Sequence, residues 1–359
     1  MRGSRRLTRR RILAAAALTV PGGTLAAAPL RAAPLEWEQA EWRAFRQRYL
    51  LPEGRVVDTG NDGVSHSEGQ GWGLFFAVTA GDRVAFDRML DWTGRTLRRP
   101  RDALHAWRYQ PYAKLKVADT NNATDGDLFI AAALGRAARR WNASAYADAG
   151  AAIARDVLRL LVRQNGGLTA LLPGTFGFEN AGGLVVNPSY YAFPALAELA
   201  VLAPSPRWDE VRRDGVTMIE AGRFGRWMLP PDWLHVPHDP SAPLAPAPPW
   251  PARFSYDAIR VPLYAAWSRA PLPEMMAAFA RYWSAFPPGT APAWVDLATG
   301  ATAPFAAGPG IAAVARLATT PDRLAYPVAA LPTVASAPDY YQAALILLSH
   351  IAWQESGAP

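Results

Sequence analysis

The 359-residue chain contains no cysteine. Thiolate metal sites, cysteine nucleophiles and a disulfide framework are therefore excluded, and the fold must rest on its hydrophobic core, which a chain this long can bury. Histidine is scarce, with five in all (His66, His105, His235, His238, His350). Only His235 and His238 lie close together, in a proline-rich segment where loop histidines are a better reading than a zinc site. Strand-like runs are few and short (Leu168–Leu172, Leu184–Val186), which argues against a parallel α/β sheet. The N-terminal apolar run, Ile12 to Val20, falls far below the ~18 residues that a membrane-spanning helix needs, so no stable membrane anchor is expected.

A surplus of acidic residues is also lacking. The formal net charge is +7, but residues 1–33 carry seven arginines and no acid, so the chain from Pro34 onward is balanced. A nucleic-acid partner is thereby disfavoured. The N-terminus instead has a basic stretch, a short apolar run and a small-residue tail ending Arg31-Ala32-Ala33, the pattern of an export signal. Thr8-Arg9-Arg10-Arg11-Ile12-Leu13 fits the twin-arginine type, read by a receptor that exports folded proteins. The expected organisation is a signal at 1–33 and one domain at 34–359, in a periplasmic or secreted protein.

The rest of the chain alternates helical periodicity with loops rich in Gly, Pro, Asn and Asp. Eleven helices are predicted: Trp37–Tyr49, Ser67–Ala80, Arg83–Leu97, Asp125–Trp141, Ala145–Arg163, Pro188–Leu202, Trp208–Gly222, Asp257–Ser268, Pro273–Ala285, Pro309–Ala318 and Asp339–Glu355. Phe129, Ala132, Ala133, Arg136 and Ala137 show the one-sided spacing of an amphipathic helix. No linker interrupts the series, which predicts a single all-α domain of antiparallel helix pairs. The longest irregular stretch, Leu229 to Ala252, is too rich in proline to be helical and is expected to form the wall or rim of a cleft.

Two segments unite a carboxylate with a predicted helix start. In Ser65-His66-Ser67-Glu68-Gly69-Gln70-Gly71-Trp72-Gly73, Glu68 falls in the first turn after a Ser67 cap, and three glycines open its surroundings to a ligand. In Phe254-Ser255-Tyr256-Asp257-Ala258-Ile259-Arg260, Asp257 opens another helix. Taken singly, either acid does no more than complement a helix dipole.

Four blocks together say more. ATDGDLFIAAALGRAARRW, Ala123 to Trp141, resembles the signature of family 8 glycoside hydrolases through all nineteen positions. SEGQGWG resembles the stretch bearing that family's general acid, SYDAIRV the stretch bearing its general base, and Asn187-Pro188-Ser189-Tyr190-Tyr191 a fourth block. Within the family, LLPGTFGF (Leu171 to Phe178), SYDAIRV and VDLATG (Val295 to Gly300) look like the compact periplasmic endoglucanases that accompany bacterial cellulose synthesis.

The resemblance implies an (α/α)6 barrel and an inverting endo-β-1,4-glucanase, with a β-1,4-glucan oligosaccharide or polymer as partner and a functional association with the cellulose synthase machinery. Glu68 would be the general acid and Asp257 the general base. Asp125 would bind and distort the sugar, and Tyr190 would position the water. Trp107, Tyr256, Trp72, Tyr340 and Tyr341 would line the cleft, with Arg260 at its floor among the substrate-binding residues, paired to a carboxylate. Asp127 would stand behind them, and Trp141, Trp208 and Trp353 would be core. No metal or organic cofactor is called for, since acid–base hydrolysis needs two carboxyls and water. A helix N-terminus works against a protonated Glu68, so desolvation by Trp72 and bound sugar, with the charge of Asp125, must raise its pKa. A chitosanase, xylanase or mixed-linkage β-glucanase would use the same carboxyls, and a non-catalytic glycan-binding protein would keep the aromatics alone.

Overall fold

The computed structural model describes residues 35–320 and 331–357, so the predicted export signal at 1–33 lies outside the described residues. Eleven α-helices occur among the described residues, one for each predicted helix: α1 Glu36–Tyr49, α2 Ser67–Thr79, α3 Arg83–Thr96, α4 Thr124–Trp141, α5 Ser144–Leu160, α6 Phe193–Leu202, α7 Arg207–Ala221, α8 Arg260–Ser268, α9 Pro273–Ser284, α10 Pro309–Thr319 and α11 Tyr340–Gly357. None is long and apolar enough to cross a membrane.

The helices divide by how they are buried. In α2 every residue from Gly69 to Val78 is buried, in α4 Thr124 to Ala137, in α8 Arg260 to Trp267, and in α11 Gln342 to Trp353. α6 is buried over most of its length. A helix covered all round must lie inside a layer of other helices. α2 packs on α4, α4 on α6, α6 on α8 and α8 on α11. The remaining helices bury one stripe. In α1 it is Glu38, Trp42, Phe45 and Tyr49, in α3 Ala85, Phe86, Met89, Trp92 and Thr93, and in α5 Gly150, Ile153, Ala154 and Val157. Each large apolar side chain on such a stripe contributes at most about 1.5–3 kcal/mol by leaving water. An inner set of helices sheathed by an outer set is the (α/α)6 barrel that the resemblance implied.

The close fit of α2 on α4 depends on two glycines. A Cβ on Gly126 would stand 2.3 Å from Ser67 Oγ and 2.7 Å from Glu68 N, and one on Gly71 would meet Gly126 O at 2.9 Å. The glycines around Glu68 therefore serve helix packing, with Gly69 against Tyr340 and Gly73 against Met89. The expectation that they open space for a ligand is corrected.

Three helix boundaries also differ from the sequence reading. α5 stops at Leu160, and β1 (Val162–Asn165) turns back on β2 (Leu168–Leu171) through Gly166 and Gly167, both at positive φ. The Pro188–Leu202 segment is broken: a 3₁₀ turn, Pro188–Tyr190, precedes α6. α8 begins at Arg260, so Asp257 lies in the turn before it. The proline-rich stretch is more ordered than expected. It supplies β5 (Leu234–Pro237) and β6 (Ala245–Pro246) to a four-stranded antiparallel sheet with β3 (Glu179–Asn180) and β4 (Gly183–Val186). Prolines fit here because β6 is an edge and Pro237 is the last residue of β5.

Candidate active site

The N-terminal ends of the inner helices carry the chemistry-bearing residues. Glu68 is the second residue of α2, Asp125 the second of α4, Arg260 the first of α8, and Tyr340 and Tyr341 open α11. Tyr190 and Asp257 stand in the turns just before α6 and α8. The start of α4 is fixed by two bonds to the strand edge: Thr124 N donates to Pro173 O at 2.9 Å, and Thr124 Oγ1 to Leu172 O at 2.7 Å.

Three carboxyls meet on one guanidinium. Arg260 Nη1 donates to Glu68 Oε2 and, at 3.0 Å, to Asp125 Oδ2; Nη2 donates to Asp257 Oδ1. The side chains of Arg260 and Asp125 are 2% and 3% exposed, whereas those of Glu68 and Asp257 are 19% and 31% exposed. The outer two carboxyls are thus the more open to a ligand, with Asp125 deeper behind them. Arg260 is spent on these acids and has no face for sugar. Its expected place among the substrate-binding residues is corrected to that of a charged hub behind them.

One positive charge among three acids cannot keep all of them ionised cheaply. Burial, followed on the raising side by the charge of Asp125, a hydrogen bond shared with it and the charge of Asp257, holds Glu68 well above the usual carboxylate range, against the pull of Arg260. These effects favour the protonated form of Glu68, although it sits at a helix N-terminus. Burial also raises Asp257, helped by Asp125, while Arg260 and the Asn187 side chain stabilise its ionised form. Burial and the charges of Asp125 and Asp257 keep the Tyr190 phenol protonated. Its ring lies 5.7 Å from the Arg260 guanidinium.

The aromatic expectations divide. Trp107 is half-buried, stacks on His66 at 6.1 Å, and donates from Nε1 to Asp119 at 2.8 Å. Its carbonyl accepts from Ser67 N at 3.0 Å, which ties it to the helix that bears Glu68. Burial holds His66 down to about 4, so this imidazole is neutral near pH 7. Tyr256 is 44% exposed beside Asp257, and the half-buried Tyr341 donates to its carbonyl. Trp72 and Tyr340 are different: they are 0% and 2% exposed. They stack on each other at 6.5 Å, and Trp72 lies under Arg260 with the guanidinium 5.7 Å from its ring. The expectation that these two contact the substrate is corrected, because both rings are spent on the barrel core. Asp127 is fully buried and accepts from His105 and Asn122, fixing the loop that carries Trp107.

Two residues were given no role by the sequence reading. Asn187 caps the turn bearing Tyr190, accepting from Ser189 N at 3.0 Å, and also faces Asp257. Asp232 accepts from Ser255 and Ala258 on either side of Asp257. The only signal for Asp232 was an acid lodged between prolines and a tryptophan, close upstream of SYDAIRV.

Two partly exposed carboxyls, both raised by burial and backed by a third acid at the mouth of a helical barrel, are the groups that acid–base cleavage of a glycosidic bond requires, and with the family match they define a glycoside hydrolase. The chain belongs to glycosyl hydrolases family 8, whose pattern matches residues 19–355. It is 47% identical over 311 residues to a "probable endoglucanase" of Novacetimonas hansenii, covering 87% of this chain and 89% of that one. It is 38% identical over 270 residues to an endoglucanase of Cellulomonas uda, covering 75% and 74%. The solved endo-β-1,4-glucanase CMCax of Acetobacter xylinum superposes with a TM-score of 0.85 at 46% identity, over 90% of this chain and 99% of that one.

Proposed function

We propose that this glycoside hydrolase is an endo-β-1,4-glucanase that cleaves with inversion, Glu68 acting as general acid and Asp257 as general base. The observation that supports the assignment of roles is the Arg260 cluster, in which burial raises both exposed carboxyls, Glu68 well above the usual range, while Arg260 and Asn187 hold Asp257 back toward its ionised form. Glu68 gives its proton to the departing glycosidic oxygen. Asp257 takes a proton from a water that attacks the anomeric carbon from the opposite face, and Tyr190 helps to hold that water. Asp125, paired to Arg260 and to its neighbour's N–H, accepts from a sugar hydroxyl and holds the ring distorted. Inversion requires the two carboxyls to stand roughly 6.5–9.5 Å apart when sugar and water lie between them. Attachment of each to a different nitrogen of one guanidinium is compatible with that gap. Trp107, Tyr256 and Tyr341 offer apolar ring faces to the C–H faces of glucose units.

The glucan is favoured as substrate by the names of the relatives above, which are endoglucanases. Residues 1–33 read as an export signal, which supports a periplasmic or secreted enzyme. The sequence blocks shared with endoglucanases of cellulose synthesis support a place beside that machinery.

The test is release of reducing ends from carboxymethylcellulose, with chitosan and xylan in parallel, for wild type and Glu68→Gln. Wild type is expected to act on the cellulose derivative, and the variant to lose about 10²–10⁴-fold in kcat while keeping its fold. Activity confined to chitosan or xylan would overturn the glucan assignment. Binding without turnover would overturn the enzyme itself. The anomer first formed, read by proton NMR, tests inversion.

A further inference from the structure

Asp257 lies in a turn that no helix encloses, yet it must present its carboxylate with sub-ångström constancy. What holds the turn comes from elsewhere in the chain. Asp232, at the start of the proline-rich segment, is 9% exposed. Its Oδ1 accepts from Ser255 N at 3.0 Å and from Ala258 N at 2.8 Å, while its Oδ2 accepts from Ser255 Oγ. One carboxylate thus grips the backbone on both sides of Tyr256-Asp257. The grip is itself anchored, because Asp232 N donates to Arg253 O at 2.7 Å. Pro230 and Pro231 stiffen the approach, and Trp233 packs edge-on against Tyr190 at 6.3 Å.

We propose that Asp232 is a positioning residue for hydrolysis, clamping the turn that carries Asp257 and setting a second negative charge behind it. This rests on the reading of Asp257 as general base. A buried carboxylate with three donors is held rigidly, and removing it strands two N–H groups and a hydroxyl. The charge matters as well as the bonds. Burial, with the charge of Asp257 next in effect, pushes Asp232 up to about 7, so the two acids repel one another. By reciprocity, an ionised Asp232 makes Asp257 the stronger base.

The experiment uses the full chain with carboxymethylcellulose, on which wild-type turnover separately establishes the glucanase reading. Asp232→Ala is expected to lower kcat about 100-fold, the effect of a misplaced reacting group, with KM little changed. Asp232→Asn is expected to recover most of kcat, since its amide oxygen still accepts from both N–H groups. In that variant the inflection that Asp232 gives the wild-type kcat profile near pH 7 disappears, while the lower limb set by Asp257 stays, because Asp232 is protonated there. A purely structural role would lower the melting temperature and give the wild-type profile no such inflection. Hydrogen exchange at the Ser255 and Ala258 amides gives a readout independent of turnover, with protection lost in Asp232→Ala and kept in Asp232→Asn. Wild-type kcat in Asp232→Ala, or unchanged amide protection, overturns the clamp and leaves the glucanase standing. A wild type inert on every glucan, with protection lost in Asp232→Ala, overturns the glucanase and keeps the clamp.

Discussion

Two buried charge clusters occupy opposite ends of the same inner helices. At one end, Arg260 faces Glu68, Asp125 and Asp257. At the other, Arg136 of α4 donates to both oxygens of Glu355 on α11, at 2.6 and 3.0 Å, and from Nε to Glu198 on α6 at 3.0 Å. Arg139 adds a second cation on Glu198, at 2.6 Å, and Trp267 of α8 donates to Glu355 at 2.9 Å. The Arg136 guanidinium also lies 4.2 Å from the Phe75 ring of α2, so this knot touches all five inner helices. Eleven residues of α4 separate Asp125 from Arg136, about 16 Å along the axis.

The difference is arithmetic. The knot sets two cations against two anions, and each carboxyl oxygen accepts from an arginine. The other cluster sets one cation against three carboxyls and leaves two of them partly exposed. Balance makes a clasp, and imbalance makes a set of acids whose protons can be moved.

The same substitution at both ends separates these roles. Arg260→Met removes the charge that favours ionised Asp257. The acid limb of the pH profile should then move to higher pH, with kcat at neutrality falling about 10²–10⁴-fold, while the fold survives because the acids can take up protons. Reducing-end assays across pH, with a thermal melt, check this. Arg136→Met leaves the fully buried Glu198 short of its partner and should cost about 3–5 kcal/mol of stability in denaturant titration. Turnover per folded molecule should not change. Asp125→Asn is the finest probe: it removes the negative charge that helps Glu68 to hold its proton. The basic limb should move to lower pH by about one unit, the size of an effect near 1.4 kcal/mol. An unmoved limb would show that Asp125 has no part in holding that proton.

The helices were legible in the sequence because apolar spacing and glycine–proline punctuation are local signals. So were the positions of Glu68, Asp125, Tyr190 and Asp257, each within a recognisable block. What failed depends on the third dimension. Trp72 and Trp107 both stand near acids in the chain, and only packing decides that the first lies beneath Arg260 and the second at the surface. Tyr340 and Tyr341 are neighbours on one helix, and a turn of about 100° per residue sends them to core and cleft respectively. The β3–β6 sheet joins segments some fifty residues apart, and its proline-rich strands carry no strand signature. Asp232 was invisible for the same reason, since its partners are backbone N–H groups that sequence does not distinguish.

The contact between Gly71 and Gly126 has a meaning for mutational tolerance. Neither residue can touch a sugar, yet a single methyl group at Gly126 needs space now filled by the backbone of Glu68. In a survey of all substitutions, this glycine would rank with the acids themselves, and a screen that scored only loss of activity would mistake a clearance for a catalyst.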